Sequence, residues 1–339
     1  VDITGYEYAP HGTYVSKGDA AETKYYTEAI GTISATGNPL VLKLYYRAIS
    51  MRLTFDKGTG DAYSWYPNED PSADHMAGDS VSLPTANQTR RTGYTLRGWV
   101  ELPTAADPDD YTIEVTYGTE TRTFKASDIT SLTGNWAIEF LRLVQGDSGS
   151  QYLVFTYGGE SVNLPYYTAA SVITMPTVPT TMYAAWEPNQ RTAYVVEYYK
   201  HKGDGTMVKV DTETYYGYTD TTATFDPSSV ANKYDGYHQY STTPDEEGYK
   251  LDANGYVLDT TGANITDGTN PYQQILEGNI SATTTLALKL FYEADLVHYV
   301  VRWYKWTGAE TLVREYQEVR TGKVDSQVDV LASDKTLTK

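Results

Sequence analysis

The chain has no cysteine in its 339 residues. That excludes a disulfide framework, a thiolate zinc site and a thiol nucleophile, and it suits an exported bacterial chain as well as a cytosolic one. Basic side chains are also scarce: 26 Lys and Arg stand against 44 Asp and Glu, a formal charge of −18 with a pI near 4.6. A partner held through phosphates needs clustered cations, so nucleic acid and anionic membrane surfaces are poor partners. No apolar run reaches the length of about 18 residues that direct membrane insertion needs. The opening Val1-Asp2-Ile3-Thr4-Gly5 lacks the charged and apolar regions of a signal peptide, so the signal and anchor of an exported chain would lie outside this sequence. The five histidines, His11, His75, His201, His238 and His298, fall in Gly- or Asp-rich turns or at strand starts, and no two have metal-ligand spacing. Neither a G-x-S-x-G elbow nor a phosphate loop occurs, and no enzyme is expected.

What is abundant is tyrosine: 33 Tyr against 6 Phe. Tyr packs its ring inward while keeping its hydroxyl wet, which suits thin, half-exposed sheets. Apolar residues alternate with polar ones in short bursts bounded by Gly, Asn, Asp, Pro and Thr, as in Leu40–Tyr46, Tyr152–Tyr157 and Tyr194–Tyr199. In LKLYY the side chains of Leu42 and Leu44 share a face and Lys43 and Tyr45 the other, so this strand is expected to be buried on one side. Helical signals are confined to residues 127–144 and 227–233, the second with Asp226 as N-cap. The length suggests two to four domains.

The chain repeats itself. AYVVEYYKHKGDGTMVKVDTETYYG (193–217) aligns without gaps to HYVVRWYKWTGAETLVREYQEVRTG (298–322), each reading as a strand, a Gly-containing turn and a second strand. LKLYYRA (42–48) matches LKLFYEA (288–294), and Gly5-Tyr6 matches Gly236-Tyr237. The sequence therefore opens on the back half of a repeat and closes on the front half. Two arrangements give that phase: one period of a tandem array, or subunits in which the front half of one completes the back half of the next.

Four stretches of the middle, TFDKGTGDAYSW (54–65), AGDSVSLP (77–84), RTGYTLRGWV (91–100) and VITMPTVPTTMYAAWEP (172–188), resemble the Listeria-Bacteroides repeat, the β-grasp-like B-repeat of internalin-type surface proteins. Gly93, Tyr94, Gly98 and Trp99 match its Gly-Tyr and Gly-Trp pairs, and Tyr183 to Trp186 its closing strand, while about 103–171 departs from it as an insertion. The flanking units resemble mucin-binding-protein (MucBP-like) repeats through YVVEYYK, DTETYYG, KYDGYHQY and LKLFYEA, with Leu42, Leu44, Leu288 and Leu290 as structural motif positions and an insertion at about 242–276. The resemblance implies a mainly β, elongated tandem array of small β-grasp-like units. Residues 1–48 would be the C-terminal half of a MucBP-like repeat, 49–188 an internalin-like unit, 189–295 a MucBP-like repeat and 296–339 the N-terminal half of another.

Chemistry is sparse. Calcium is the least implausible ion, since carboxylates and carbonyls on loops are its ligands, and Asp107, Asp109, Asp110, Asp252 and Asn254 are the candidates, without an EF-hand spacing. Glu246, Glu247, Asp109 and Asp110 as a glycosidase pair read better as solvated loop residues. LPTA at 83–86 and at 102–105 resembles a sortase signal but lacks the Gly and the apolar tail. Lys43 and Lys289, as isopeptide donors, fall on the outer strand faces. Surface aromatics such as Trp65, Tyr66, Trp303 and Trp306 suit either sugar stacking or contacts between repeats. The reading that emerges is a non-enzymatic, extracellular stalk or filament at a bacterial surface, its partners being adjacent repeats or identical subunits head to tail. An adhesin for host or matrix glycans is the second reading, and an accessory region of a surface glycoside hydrolase a distant third.

Overall fold

The computed structural model describes residues 3–9, 14–16, 24–26, 30–31, 40–147, 150–308 and 311–335, which fall into two compact units, Val1–Asn189 and Gln190–Lys339. Half of the residues lie in strands and 9% in helices, so the chain is mainly β.

In the first unit β1 (Tyr6–Tyr8) and β2 (Tyr46–Ala48) form a short antiparallel pair. Residues 14–16 and 24–26 form another. After Ile49 the chain enters β3 (Ser50–Asp56), whose alternation puts Met51, Leu53 and Phe55 inside, and then β4 (Ala73–Met76) and β5 (Tyr94–Pro103). Four strands and a helix follow: β6 (Tyr111–Tyr117), β7 (Glu120–Lys125), α1 (Gly134–Arg142), β8 (Gln151–Tyr157) and β9 (Glu160–Thr168), and then β10 (Thr180–Pro188) closes the unit. The sheet runs β7-β6-β8-β9-β5-β10-β3-β4. Residues 103–171 thus lengthen the main sheet through β9 on β5. β10 sits between β5 and β3, parallel to β3, and is buried on both faces, which is why TTMYAAW reads as an almost unbroken apolar run. Trp99, Trp186, Leu53 and, from α1, Phe140 fill the core.

The second unit contains β11 (Thr192–His201), β12 (Met207–Gly217), β13 (Tyr237–Gln239) and β14 (Ala287–Ala294) in the order β12-β11-β14-β13, with β11 parallel to β14. Val196, Tyr198, Leu288, Leu290 and Tyr292 form its core. Part of the stretch 242–276 closes a smaller core of Tyr240, Leu251, Val257 and Phe291. The helical signals resolve into a 3-10 turn, Ala126–Ser131, ahead of α1, and a 3-10 turn, Pro227–Val230, where the Asp226 carboxylate accepts from the Ser228 amide at 2.9 Å. After Asp295 come β15 (Leu296–Thr307) and β16 (Thr311–Lys323), which pair only with each other among the described residues.

Candidate functional site

The second unit holds one complete copy of the repeat, and its two halves recur separately. In the complete copy the front hairpin pairs Thr192 with Gly217 through to Tyr198 with Asp211, shifts by a bulge, and continues from Tyr199 with Lys209 to His201 with Met207. Hairpin β15–β16 has the same register at every aligned position, with its bulge between Trp303/Tyr316 and Tyr304/Arg314. The 3-10 turn after it recurs too, as Ala332–Lys335. The back half is reproduced as closely. Tyr237 faces Ala294, His238 faces Glu293 and Gln239 faces Tyr292, as Tyr6 faces Ala48, Glu7 faces Arg47 and Tyr8 faces Tyr46. The flanking bonds match: Tyr240 N to Phe291 O at 3.0 Å and Ala9 N to Tyr45 O at 3.0 Å, with Gly236 and Gly5 both at positive φ.

Burial separates the whole from its halves. Leu288 and Leu290 are fully buried, whereas Leu42 and Leu44 are 49% and 54% exposed. The alternation of LKLYY marks its apolar face correctly, but nothing among the described residues covers that face as β11 covers Leu288 and Leu290. The same holds for the hairpin: Val196 and Tyr198 are fully buried, while their counterparts Val301 and Trp303 are only partly buried, and Val300, Tyr304 and Trp306 are exposed.

The complete copy is tied to the strands after it by a buried polar cluster. The Glu293 carboxylate, fully buried, accepts from His201 Nδ1 at 2.5 Å, from Lys323 Nζ at 2.5 Å and from the Tyr240 hydroxyl. Lys323 also reaches Glu247 at 2.6 Å and lies 3.9 Å from the centre of the Tyr249 ring. Burial alone would raise the pKa of Glu293, but its His201, Lys323 and Tyr240 partners outweigh burial and hold it below the usual carboxylate value. Burial and the Glu293 charge push the Tyr240 hydroxyl well up. Burial works to lower Lys323, yet Glu247 and Glu293 keep it raised. Beside this cluster the Gly203 amide donates to Val324 O at 3.1 Å, and a Cβ on Gly203 would meet Lys323 Cβ at 2.5 Å. The arrangement is a clamp of hydrogen-bonded polar groups closed around the fully buried Glu293, with Lys323 and Glu247 partly exposed at its edge. Glu293, His201, Lys323 and Tyr240 did not stand out in the sequence as a site, and Glu247, read there as a solvated loop residue, is bound to Lys323. His201, read there as a turn histidine, lies at the buried end of β11.

Gly93, Tyr94, Gly98, Trp99, Tyr183 and Trp186 are packing residues. A Cβ on Gly98 would meet Tyr167 O at 2.3 Å, because β5 bulges there between Leu96 and Gly98. Gly93 has a φ of 79° in the turn before β5. Trp99 donates to Pro84 O and Trp186 to Lys57 O, each at 3.1 Å, and Tyr94 and Tyr183 are buried beside them. Trp65 stacks on Trp99 at 6.4 Å, whereas Tyr66 is exposed.

The five calcium candidates do not converge on one point. Asp107 caps a short 3-10 turn by accepting from the Asp109 amide at 3.0 Å, and Asp109 takes Lys125 Nζ at 2.9 Å. Asp110 is exposed in the same turn. Asp252 accepts from the amides of Asn254 and Tyr256, each at 2.8 Å. Among the described residues no group of three His, Asp or Glu side chains is spaced to hold a metal ion, and no helix is long and apolar enough to cross a membrane. His238 pairs with Asp295 at 2.7 Å, and His11 lies outside the described residues.

No protein-family model matches this chain, and no curated protein is significantly similar to it.

Proposed function

We propose that this is a structural, non-catalytic repeat protein of a bacterial cell surface, in which β-grasp-like units of MucBP-like and internalin B-repeat-like type join head to tail into an extracellular stalk or filament. The observation that carries this reading is the recurrence of one joint. Asp295 N bonds Gly236 O at 2.9 Å and Val324 N bonds Asp295 O at 3.0 Å; at the other boundary Ile49 N bonds Gly5 O at 3.0 Å and Ala77 N bonds Ile49 O at 3.2 Å. A joint written twice, once between two MucBP-like units and once between a MucBP-like and an internalin-like unit, is what a linear array requires, since each unit then contacts mainly its neighbours. Further support comes from the parallel pairing of the first and last strands of residues 49–188 and of residues 189–295, β3 with β10 and β11 with β14. The acidic surface keeps such an array soluble.

The test is location and form in the native cell. Antibodies against the chain should label intact cells, with the label extending outward from the wall; label confined to the cell interior would overturn the reading. The glycan-binding alternative is favoured by the exposed aromatics Tyr66, Tyr304 and Trp306. It requires saturable binding on a glycan array that is lost when these rings are removed.

A further inference from the structure

We propose that hairpin β15–β16 of one copy docks on residues 41–48 of a second copy of this chain, in parallel and in the register of β11 on β14. The proposal rests on the array reading above and names its joint. In the complete copy Val196 pairs with Leu288, Tyr198 with Leu290 and His201 with Glu293. Transferred to the halves, Val301 faces Leu42, Trp303 faces Leu44 and Trp306 faces Arg47. The occupant is fixed by the complete copy, because both halves already have its register and expose the side chains it buries. Strand addition of this kind takes its affinity from main-chain bonds and its specificity from the alternate side chains.

The seat is preformed. In the complete copy the front half also rests on the turn Lys323–Ser326, where Ser326 N bonds Lys323 O at 3.1 Å and Asp325 has a φ of 60°. Residues 76–79 repeat it: Asp79 N bonds Met76 O at 3.0 Å and Gly78 has a φ of 87°. Gly236 lies against Val324 as Gly5 lies against Ala77 and Thr177.

The four clamp residues change together. Glu293, Lys323, Tyr240 and His201 correspond to Arg47, Met76, Ala9 and Trp306. Tyr to Ala and Lys to Met remove bulk and charge where His to Trp adds a ring. An indole at 306 therefore fits between Met76 and Ala9 with the Arg47 guanidinium beside its face, a cation–π contact in place of the carboxylate clamp. Met76 and Trp306 are 50% and 61% exposed in the single chain. Gly308 corresponds to Gly203; nothing lies within 4 Å of a Cβ built on it, whereas a Cβ on Gly203 meets Lys323 and Val324. One pair sets like charges together, Arg302 beside Lys43, where the complete copy has Glu197 beside Lys289.

A contact made by different surfaces of identical chains propagates. Sedimentation of the full chain should show mass rising with concentration above 37.7 kDa. Trp306→Glu and Leu44→Asp should each abolish further growth, and a mixture of the two should form dimers and stop, since each retains one competent end. Gly308→Ala should leave the fold and its circular dichroism unchanged while weakening association by about tenfold or more. A chain that remains monomeric at all concentrations, association indifferent to both end substitutions, or protection of the Val300 amide independent of concentration would overturn docking between copies. Two copies fused from Lys339 to Val1 separate this from the array reading. If the Val300 and Arg302 amides, counterparts of Val195 and Glu197, become protected only in the fusion, separate chains do not dock but the array stands; if they stay unprotected there as well, both fall.

Discussion

Gly98 and Glu293 show how single positions hold each unit. A methyl group on Gly98 has nowhere to go, because the nearest atom is the main-chain oxygen of Tyr167 and the next are the ring atoms of Tyr166. Gly98→Ala should cost about 1–3 kcal/mol through overpacking, read as a lowered melting temperature for the first unit with the second unit unchanged. Glu293 is held by charge. Replacing it with Gln removes the anion facing His201 and Lys323 at the centre of the cluster, and truncating a buried pair in this way costs about 3–5 kcal/mol. Denaturant melts of the second unit should show that loss near neutral pH. The pH dependence follows from the sign of the shift. The folded pKa of Glu293 lies below its unfolded value, so its contribution is complete above the ordinary carboxylate range and disappears as pH falls through the folded value. On acidification the wild type should therefore lose its advantage over Glu293→Gln; a gap that stays constant to low pH would contradict this account.

At the scale of elements, the strands and their periodicity were legible because an alternating pattern fixes which side chains share a face. Ala193–Gly217 and His298–Gly322 align without a gap, and their hairpins share even the bulge. Alternation does not reveal whether a face is covered, and so Leu42 and Leu44 read as buried although they are about half exposed. The clamp was illegible for another reason: His201, Tyr240, Glu293 and Lys323 are far apart in sequence and each is ordinary in its own stretch. The usable signal was the contrast between repeats, since Glu293 and Arg47 differ within otherwise matching strands, as do His201 and Trp306 within matching hairpins. Elements with equal sequence and unequal pairing should also differ in dynamics. Val195 N donates to Leu286 O at 2.9 Å across the parallel β11–β14 contact, and its counterpart Val300 has no such strand beside it among the described residues. In dilute, monomeric chain the Val300 amide should exchange at least about a hundredfold faster than that of Val195. Equal protection factors by hydrogen exchange would show that β15 is already covered.

At the scale of the whole molecule, charge sets the conditions under which copies can meet. Each chain carries a formal −18, so two copies approach against a net repulsion. The complete repeat meets its own halves with opposite charges, Glu197 beside Lys289 in register and Lys323 on Glu293. The proposed contact between copies has no opposite-charge pair across its register and one like-charge pair, Arg302 with Lys43, so its attraction is apolar and main-chain, with the Arg47–Trp306 cation–π contact added. Screening then helps it. Raising ionic strength shortens the Debye length from about 30 Å at 0.01 M to about 8 Å at 0.15 M, which weakens the repulsion and leaves the burial of Leu42, Leu44 and Trp306 intact. Sedimentation at the two salt concentrations should show tighter association at the higher one. A surface joined by complementary charge would dissociate instead, and that result would point to a contact other than β15 on residues 41–48.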